Sequence, residues 1–162
     1  MILDLIALDN SSKVWIYQAD REFTYDELDF TREKIHDFLS VWTSHNQELH
    51  TYGNVFHRRF LALFVDESGA ASASGCSIDK SVHFVQQLGN ALGIDFFNRL
   101  NYSYFENEEE IQMLPQSDFS NAYQSGTITD DTLVFDHLVK TKGDFLENWV
   151  RPLGQTWIKR VV

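Results

Sequence analysis

The fold is decided by residues 49–67, LHTYGNVFHRRFLALFVDE, which predict two strands joined by a hairpin. Leu49–Phe56 is typical of a strand that bends at Gly53, and Phe60–Val65 is a continuous apolar run. A run of this kind is typical of a strand that is buried on both faces of its sheet. Because only HRR lies between the two strands, we expect a tight hairpin.

The residues upstream of this hairpin predict a strand followed by a helix. Val14–Gln18 is rich in β-branched and aromatic side chains and is bounded by turn residues. Thr24 and Glu27 have the spacing of a capping box, which marks a helix start. The apolar residues that follow at helical spacing are Leu28, Ile35, Phe38, Leu39 and Trp42. We expect this helix to end near residues 44–46.

The residues downstream of the hairpin predict a second helix and two more strands. The apolar residues of this helix are Val82, Val85, Leu88 and Leu92. Gly93 follows them as the glycine that ends a helix in the left-handed conformation. The strands are predicted in NYSYF (101–105) and EEIQML (109–114), which an acidic turn around Asn107 joins.

The resulting order, β-α-β-β-α-β, is typical of the split βαβ arrangement. We therefore predict an α/β (α+β) fold, a ferredoxin-like split βαβ sandwich with a C-terminal α/β extension. We expect one mostly antiparallel sheet of four strands, with both helices on one face. Those strands are Val14–Gln18, Leu49–Phe56, Phe60–Val65 and Tyr102–Phe105.

The chain is predicted to form a single domain over residues 1–162. The βαββαβ core, with an added hairpin, would cover about 13–114, and the extension about 115–162. The extension should contain a helix over 117–124, a strand in TLVF (132–135) and a last helix that Pro152 stops. Thr141 and Asp144 would open that last helix.

The composition is that of an ordinary globular protein with an excess of acidic residues. The 162 residues are 43% hydrophobic and 23% charged, and 13 Lys and Arg against 24 Asp and Glu give a net charge of -11. This charge argues against unspecific binding to nucleic acid or to anionic membranes. No window approaches the ~20 apolar residues of a membrane span, and MILDLIALDN is unlike a secretory signal. We expect a cytoplasmic protein.

Cysteine and histidine usage argues against a disulfide and a metal site. One cysteine excludes an internal disulfide framework. The six histidines form neither H-x-x-x-H nor H-E-x-x-H, so we expect no metal and no cofactor. Asp66 and Glu67 end the buried strand, where α/β sites often collect, but a solvated strand end is the favoured interpretation.

Residues 73–84, ASGCSIDKSVHF, are the segment most informative about function. A small-residue loop that runs into a helix start leaves amides facing outward, and the helix dipole favours an anion there. We therefore predict a ligand-binding site at residues 75–80, formed by Gly75, Cys76, Ser77 and Lys80, with Lys80 supplying a countercharge. The alternative is that Ser77 or Asp79 caps the helix and uses those amides internally.

Cys76 is the one candidate catalytic residue in this segment. A helix N-terminus lowers the pKa of a thiol and favours the reactive thiolate. His83 and His57 are conceivable bases, but no local signature of a cysteine-enzyme family surrounds Cys76. The alternative is that Cys76 is a small buried hydrophobic residue beside the helix start.

Nucleotide hydrolysis is not expected from this segment. A Walker A loop has the pattern G-x-x-x-x-G-K-[ST], in which the lysine directly follows the second glycine. Here five residues rather than four separate Gly69 from Gly75, and Cys76 occupies the lysine position. Lys80 comes five residues after Gly75.

The chain resembles a family of short bacterial proteins that commonly carry the name "ABC transporter ATPase". The likeness covers about residues 13–158 and rests on VWIYQADREFT (14–24), FLSVWTSH (38–45), FLALFVDE (60–67), SGCSIDKSVHF (74–84) and TLVFDHLVKTKGDF (132–145). The name implies ATP binding and transport. Because the Walker A residues are missing, we treat the name as a misannotation and carry no catalytic residue over from the family.

Three functional interpretations remain open from the sequence. The first is a small-ligand or anion-binding regulatory domain with its site at residues 75–80. The second is a protein–protein interaction module without a ligand, which would show a stable partner or a homo-oligomer. The third is an enzyme that uses Cys76. A small anionic ligand and a homo-oligomer are thus the expected partners, and nucleic acid and membranes are not.

Overall fold

The computed structural model describes residues 1–68 and 73–162, and it combines helices with antiparallel sheets. The α+β class predicted from the sequence is confirmed. In chain order the elements are β1 (Lys13–Gln18), α1 (Tyr25–Val41), β2 (Thr43–Ser44), β3 (Gln47–Glu48), β4 (His50–Phe56), β5 (Phe60–Asp66), α2 (Gly75–Leu92), β6 (Asn101–Phe105), β7 (Ile111–Pro115), α3 (Gln116–Gln124), β8 (Leu133–Phe135), α4 (Lys142–Asn148) and β9 (Val150–Pro152).

The chain divides into two compact units. The first contains Met1–Phe97 and Lys140–Phe145, and the second contains Asn98–Val139 and Leu146–Val162. The boundary at residue 97 differs from the boundary predicted at about residue 114. That a single domain spans residues 1–162 stays a prediction.

The first unit is built on the hairpin of β4 and β5, as predicted. These strands pair antiparallel with Phe56 opposite Phe60, and β1 pairs antiparallel with the other side of β5, which gives the order β1-β5-β4. Every residue of β5 is buried. His57 and Arg58 turn the chain with φ angles of 53° and 56°. Arg58 donates to the carbonyl of Phe23 at 2.8 and 3.0 Å and so ties the turn to the segment before α1.

Packing on both faces of the sheet in the first unit explains why every residue of β5 is buried. Leu61, Leu63 and Val65 lie on one face of the strand and pack in the same core as α1 and α2. Both helices therefore cover one face of this sheet, which confirms that part of the prediction. On the other face Phe64 contacts Phe145 of α4, with ring centroids 5.1 Å apart.

The start of α1 forms as predicted, but its end differs. Thr24 accepts from the amide of Glu27, and Glu27 accepts from the amide of Thr24, which completes the capping box. The helix ends at Val41 rather than near residues 44–46. The reason is Trp42, which is 1% exposed: its side chain enters the core and its backbone leaves the helical conformation. A small hairpin of β2 and β3 follows.

The segment Lys140–Phe145 belongs to the first unit because a buried lysine anchors it. Lys142 is 5% exposed and donates from Nζ to the carbonyl of Leu8 at 2.6 Å. Its amide donates to the carbonyl of Ser12 at 2.8 Å. This anchor is not predictable from local sequence, because its partners are backbone groups more than 120 residues away along the chain.

The predicted four-stranded sheet is wrong. The strand at residues 102–105 lies in β6, and β6 belongs to a second sheet with the order β7-β6-β8-β9. Tyr104 of β6 lies opposite Val134 of β8 and packs in a separate core with Phe119 of α3. The aromatic face of β6 is thus buried by C-terminal elements instead of by α1 and α2. For the described residues the ferredoxin-like arrangement is therefore not observed.

The C-terminal elements also differ in detail from the prediction. The helix over 117–124 appears as α3, and the strand in TLVF appears as β8. Asp144 donates from its amide to Oγ1 of Thr141 at the start of α4, as predicted. Pro152 does not stop α4 directly, because β9 intervenes and pairs with β8. Among residues 1–68 and 73–162, no helix combines the length and apolar composition that a membrane crossing requires.

Candidate functional site

The helix start predicted to bind an anion is capped by its own serines. Ser74, rather than Ser77 or Asp79, is the N-cap of α2, and its Oγ accepts from the amide of Ser77 at 3.2 Å. In return Oγ of Ser77 accepts from the amide of Ser74 at 2.7 Å. Ser77 is 1% exposed, and its carbonyl accepts from Nε1 of Trp42 at 2.9 Å. The side chain of Ser77 is therefore used within the protein.

The other predicted ligand-binding residues lie on the surface. Gly75, Cys76 and Lys80 are exposed. Within the described residues no group accepts from the amides of Gly75 and Cys76. A β-carbon on Gly75 would have no atom within 4 Å, and its backbone is outside the left-handed region, so this position does not require glycine. Gly69, the first glycine of the compared Walker A pattern, lies outside the described residues.

A carboxylate of the protein already lies beside this helix start. Glu67 accepts from the amide of Ala73 at 2.9 Å and forms an ion pair of 3.1 Å with Lys13. Negative charge near a helix N-terminus is stabilising, and Glu67 supplies it. The geometry favours the capping interpretation of this segment, and the anion site at Gly75, Cys76, Ser77 and Lys80 stays a prediction.

Asp66, for which a solvated strand end was expected, is buried instead. Its carboxylate accepts from the amide and hydroxyl of Ser68 at 2.8 and 2.6 Å, and from the amide of Asp9 at 3.2 Å. Burial raises the pKa of Asp66, but these hydrogen bonds outweigh it and hold the pKa below its usual range. Asp66 thus holds Ser68 and Asp9 by hydrogen bonds and has a structural role.

Cys76 is an exposed free thiol, so the interpretation as a buried hydrophobic residue is wrong. Its position follows from the helix, which begins one residue earlier and turns the side chain outward. His83 lies seven residues further along α2, about 10 Å along the axis, which is too far for a hydrogen bond. His57 packs on the ring of Phe60, and burial lowers its pKa. A catalytic role for Cys76 stays a prediction.

A concave surface in the second unit has no counterpart in the sequence analysis. It is an open groove with a volume of about 530 Å³, and we call it the acidic groove. One wall is the turn between β6 and β7, and the other is the segment before β8. The residues that line the acidic groove are Phe105, Glu106, Asn107, Glu108, Thr129, Asp131, Thr132 and Leu133.

The wall of the acidic groove at the β6–β7 turn is fixed by its own hydrogen bonds. Oδ1 of Asn107 accepts from the amides of Glu109 and Glu110, both at 2.9 Å. The amide of Glu106 donates to the carbonyl of Glu110 at 2.8 Å, which closes the turn. The acidic run ENEEE therefore forms a hydrogen-bonded hairpin end with exposed glutamates, of which Glu106 also accepts from Nε2 of Gln112 at 3.1 Å.

The opposite wall is held in a similar way. Thr132 accepts from the amide of Thr129 through Oγ1 at 2.9 Å, and its carbonyl accepts from the amide of Leu153 at 2.8 Å. Asp130, which lies between two lining residues, is bound by Lys159 at 2.6 Å and by the hydroxyl of Tyr123 at 2.7 Å. The hydrogen bonds from Lys159 and then from Tyr123 lower the pKa of Asp130.

The acidic groove carries negative charge that the protein does not neutralise. Within the described residues, Glu106, Glu108 and Asp131 form no ion pair, and no Lys, Arg or His is among the lining residues named above. Among the described residues of the second unit, the two cations that form ion pairs bind other carboxylates: Lys159 binds Asp130, and Arg151 binds Asp136 at 3.3 Å. The groove therefore favours a positively charged occupant.

A polar cluster around the buried Asp136 also lies in the second unit, and its carboxylate and ring nitrogens pair within the cluster, whereas Nε of Arg151 is buried without a hydrogen-bond partner. Asp136 accepts from Nε1 of Trp157 at 2.8 Å, from the amide of Leu138 at 2.9 Å and from Arg151. Nδ1 of His137 accepts from Nε1 of Trp149 at 3.1 Å. Burial lowers the pKa of His137 to about 4, so it is neutral at pH 7. This cluster is structural.

The described part of the chain contains no group of three or more His, Cys, Asp or Glu side chains arranged to hold a metal ion. Comparisons with family models, with curated proteins and with solved structures gave no match to this chain.

Proposed function

We propose that this protein is a small-ligand-binding module whose binding site is the acidic groove. The observation that supports the proposal is a concavity of about 530 Å³ between two separately hydrogen-bonded walls. Ligand pockets commonly have volumes of ~300–1,000 Å³ and combine apolar lining with a few polar groups. Phe105 and Leu133 supply the apolar part, and the carboxylates of Glu106, Glu108 and Asp131 supply the polar part.

The proposal keeps the ligand-binding class expected from the sequence and moves the site. At residues 75–80 the only buried polar side chain, Ser77, is used by the helix cap, and the others lie on a convex helix end. In the acidic groove the carboxylates are exposed and have no cationic partner among the described residues. Unpaired charge at a concave surface is the arrangement that a ligand can use.

The lining residues favour binding over catalysis. They include no Cys, His, Ser or Lys, and the carboxylates that could act as a base, those of Glu106, Glu108 and Asp131, are exposed to solvent. The hydroxyls of Thr129 and Thr132 accept from backbone amides within their own turn. A regulatory or carrier role is therefore the function that we propose for the groove, and ATP turnover remains an activity that we do not expect.

The experiment is a thermal-shift screen. Metabolites of positive, neutral and negative charge are added to the wild type and to two variants. Leu133→Trp places a large side chain in the groove at a position that is 42% exposed, so it should fold normally. Leu100→Trp is the control, because Leu100 is 66% exposed and lies outside the groove. We expect at least one compound to stabilise the wild type and Leu100→Trp but not Leu133→Trp. Equal stabilisation of all three proteins, or of none, would contradict the proposal.

An interaction module is the second candidate function. Leu100, Leu138 and Leu146 in the second unit are 66%, 58% and 59% exposed. Large exposed leucines of this kind mark interaction surfaces when they are contiguous. Sedimentation velocity over a concentration series tests self-association: a concentration-dependent dimer that Leu138→Lys abolishes would support this function, and a monomer throughout would argue against a homo-oligomer.

A further inference from the structure

We draw no further inference here: the strongest candidate, the outer edge of strand β7 in the second sheet, is paired on one side only among the described residues, and nothing in the structure shows what covers it.

Discussion

Gly53 of β4 faces Ile35 of α1 at a distance that leaves no room for a side chain. A β-carbon on residue 53 would lie 2.9 Å from Cγ2 of Ile35 and 2.9 Å from Cδ2 of Leu63. Contacts this short require neighbouring atoms to move. The absence of a side chain at this position lets α1 lie against the sheet, which is why a glycine stands inside a strand.

Gly53→Ala should destabilise the protein by roughly 1–3 kcal/mol, the usual cost of adding a methyl group to a packed core. The matched control is Gly75→Ala, because Gly75 has free space and a helical position, where alanine should be neutral or stabilise by roughly 0.5–1 kcal/mol. Urea denaturation monitored by circular dichroism measures both. A Gly53→Ala variant as stable as the wild type would show that α1 is not packed on β4 as described.

Lys80→Ala distinguishes the helix cap from the anion site. Lys80 is exposed and is the sixth residue of α2, beyond the first turn, so the unfavourable effect of its charge on the helix dipole should be small. Since Ser74 and Ser77 already cap the helix, we expect an equal or slightly higher melting temperature and no response to phosphate in either protein. Ser74→Ala should lower stability by ~0.5–2 kcal/mol as the positive control for the cap.

A phosphate-dependent rise in the melting temperature of the wild type that Lys80→Ala abolishes would contradict this expectation. It would establish the anion site predicted at Gly75, Cys76, Ser77 and Lys80. The proposal for the acidic groove would then concern a second site.

His137 should make the protein less stable in acid. Burial lowers its pKa to about 4 in the folded protein, whereas a histidine in the unfolded chain has a pKa of about 6.5. The unfolded state therefore takes up a proton that the folded state does not. This contribution to stability is fully present above pH 6.5 and is lost as the pH falls towards 4, by up to about 3 kcal/mol.

The free energy of unfolding at several pH values between 4 and 7 tests this. His137→Gln keeps an acceptor for Nε1 of Trp149 and removes the titrating group, so its stability should depend less on pH in this range. His83→Gln, at an exposed position of α2, is the control and should retain the dependence of the wild type. An identical pH dependence in all three proteins would show that His137 does not carry it.

Local signals in the sequence predicted the elements of the first unit well. The capping box of Thr24 and Glu27, the buried run of β5 and the left-handed Gly93 all depend on residues within a few positions of one another. Local hydrogen bonds and side-chain periodicity decide such features, so they can be recognised from one sequence. The exact start of α2 was missed because Ser74 and Ser77 form a capping box with serine in place of the usual Glu or Gln.

Pairings between distant segments were the part that the sequence did not predict. β6 pairs with β7 on one side, in the predicted hairpin, and with β8 on the other. The paired residue of β8, Val134, lies 29 residues beyond the end of β6, and nothing local to NYSYF indicates this second partner. The hydrogen bond from Lys142 to Leu8 and the two walls of the acidic groove likewise bring together segments that are distant along the chain. The sequence predicts only an acidic turn around Asn107, because the relation of this turn to residues 129–133 exists only after β6 and β8 pair.

The measurement that tests the central claim most directly is amide chemical-shift mapping of the isotope-labelled chain during titration with a compound that stabilises the wild type in the thermal-shift screen. If the acidic groove is the binding site, saturable shifts should concentrate at residues 105–108 and 129–133, and residues 75–80 should not respond. The same shifts should be absent in Leu133→Trp. Shifts that are spread over all acidic surfaces, or that concentrate at the start of α2, would contradict the account.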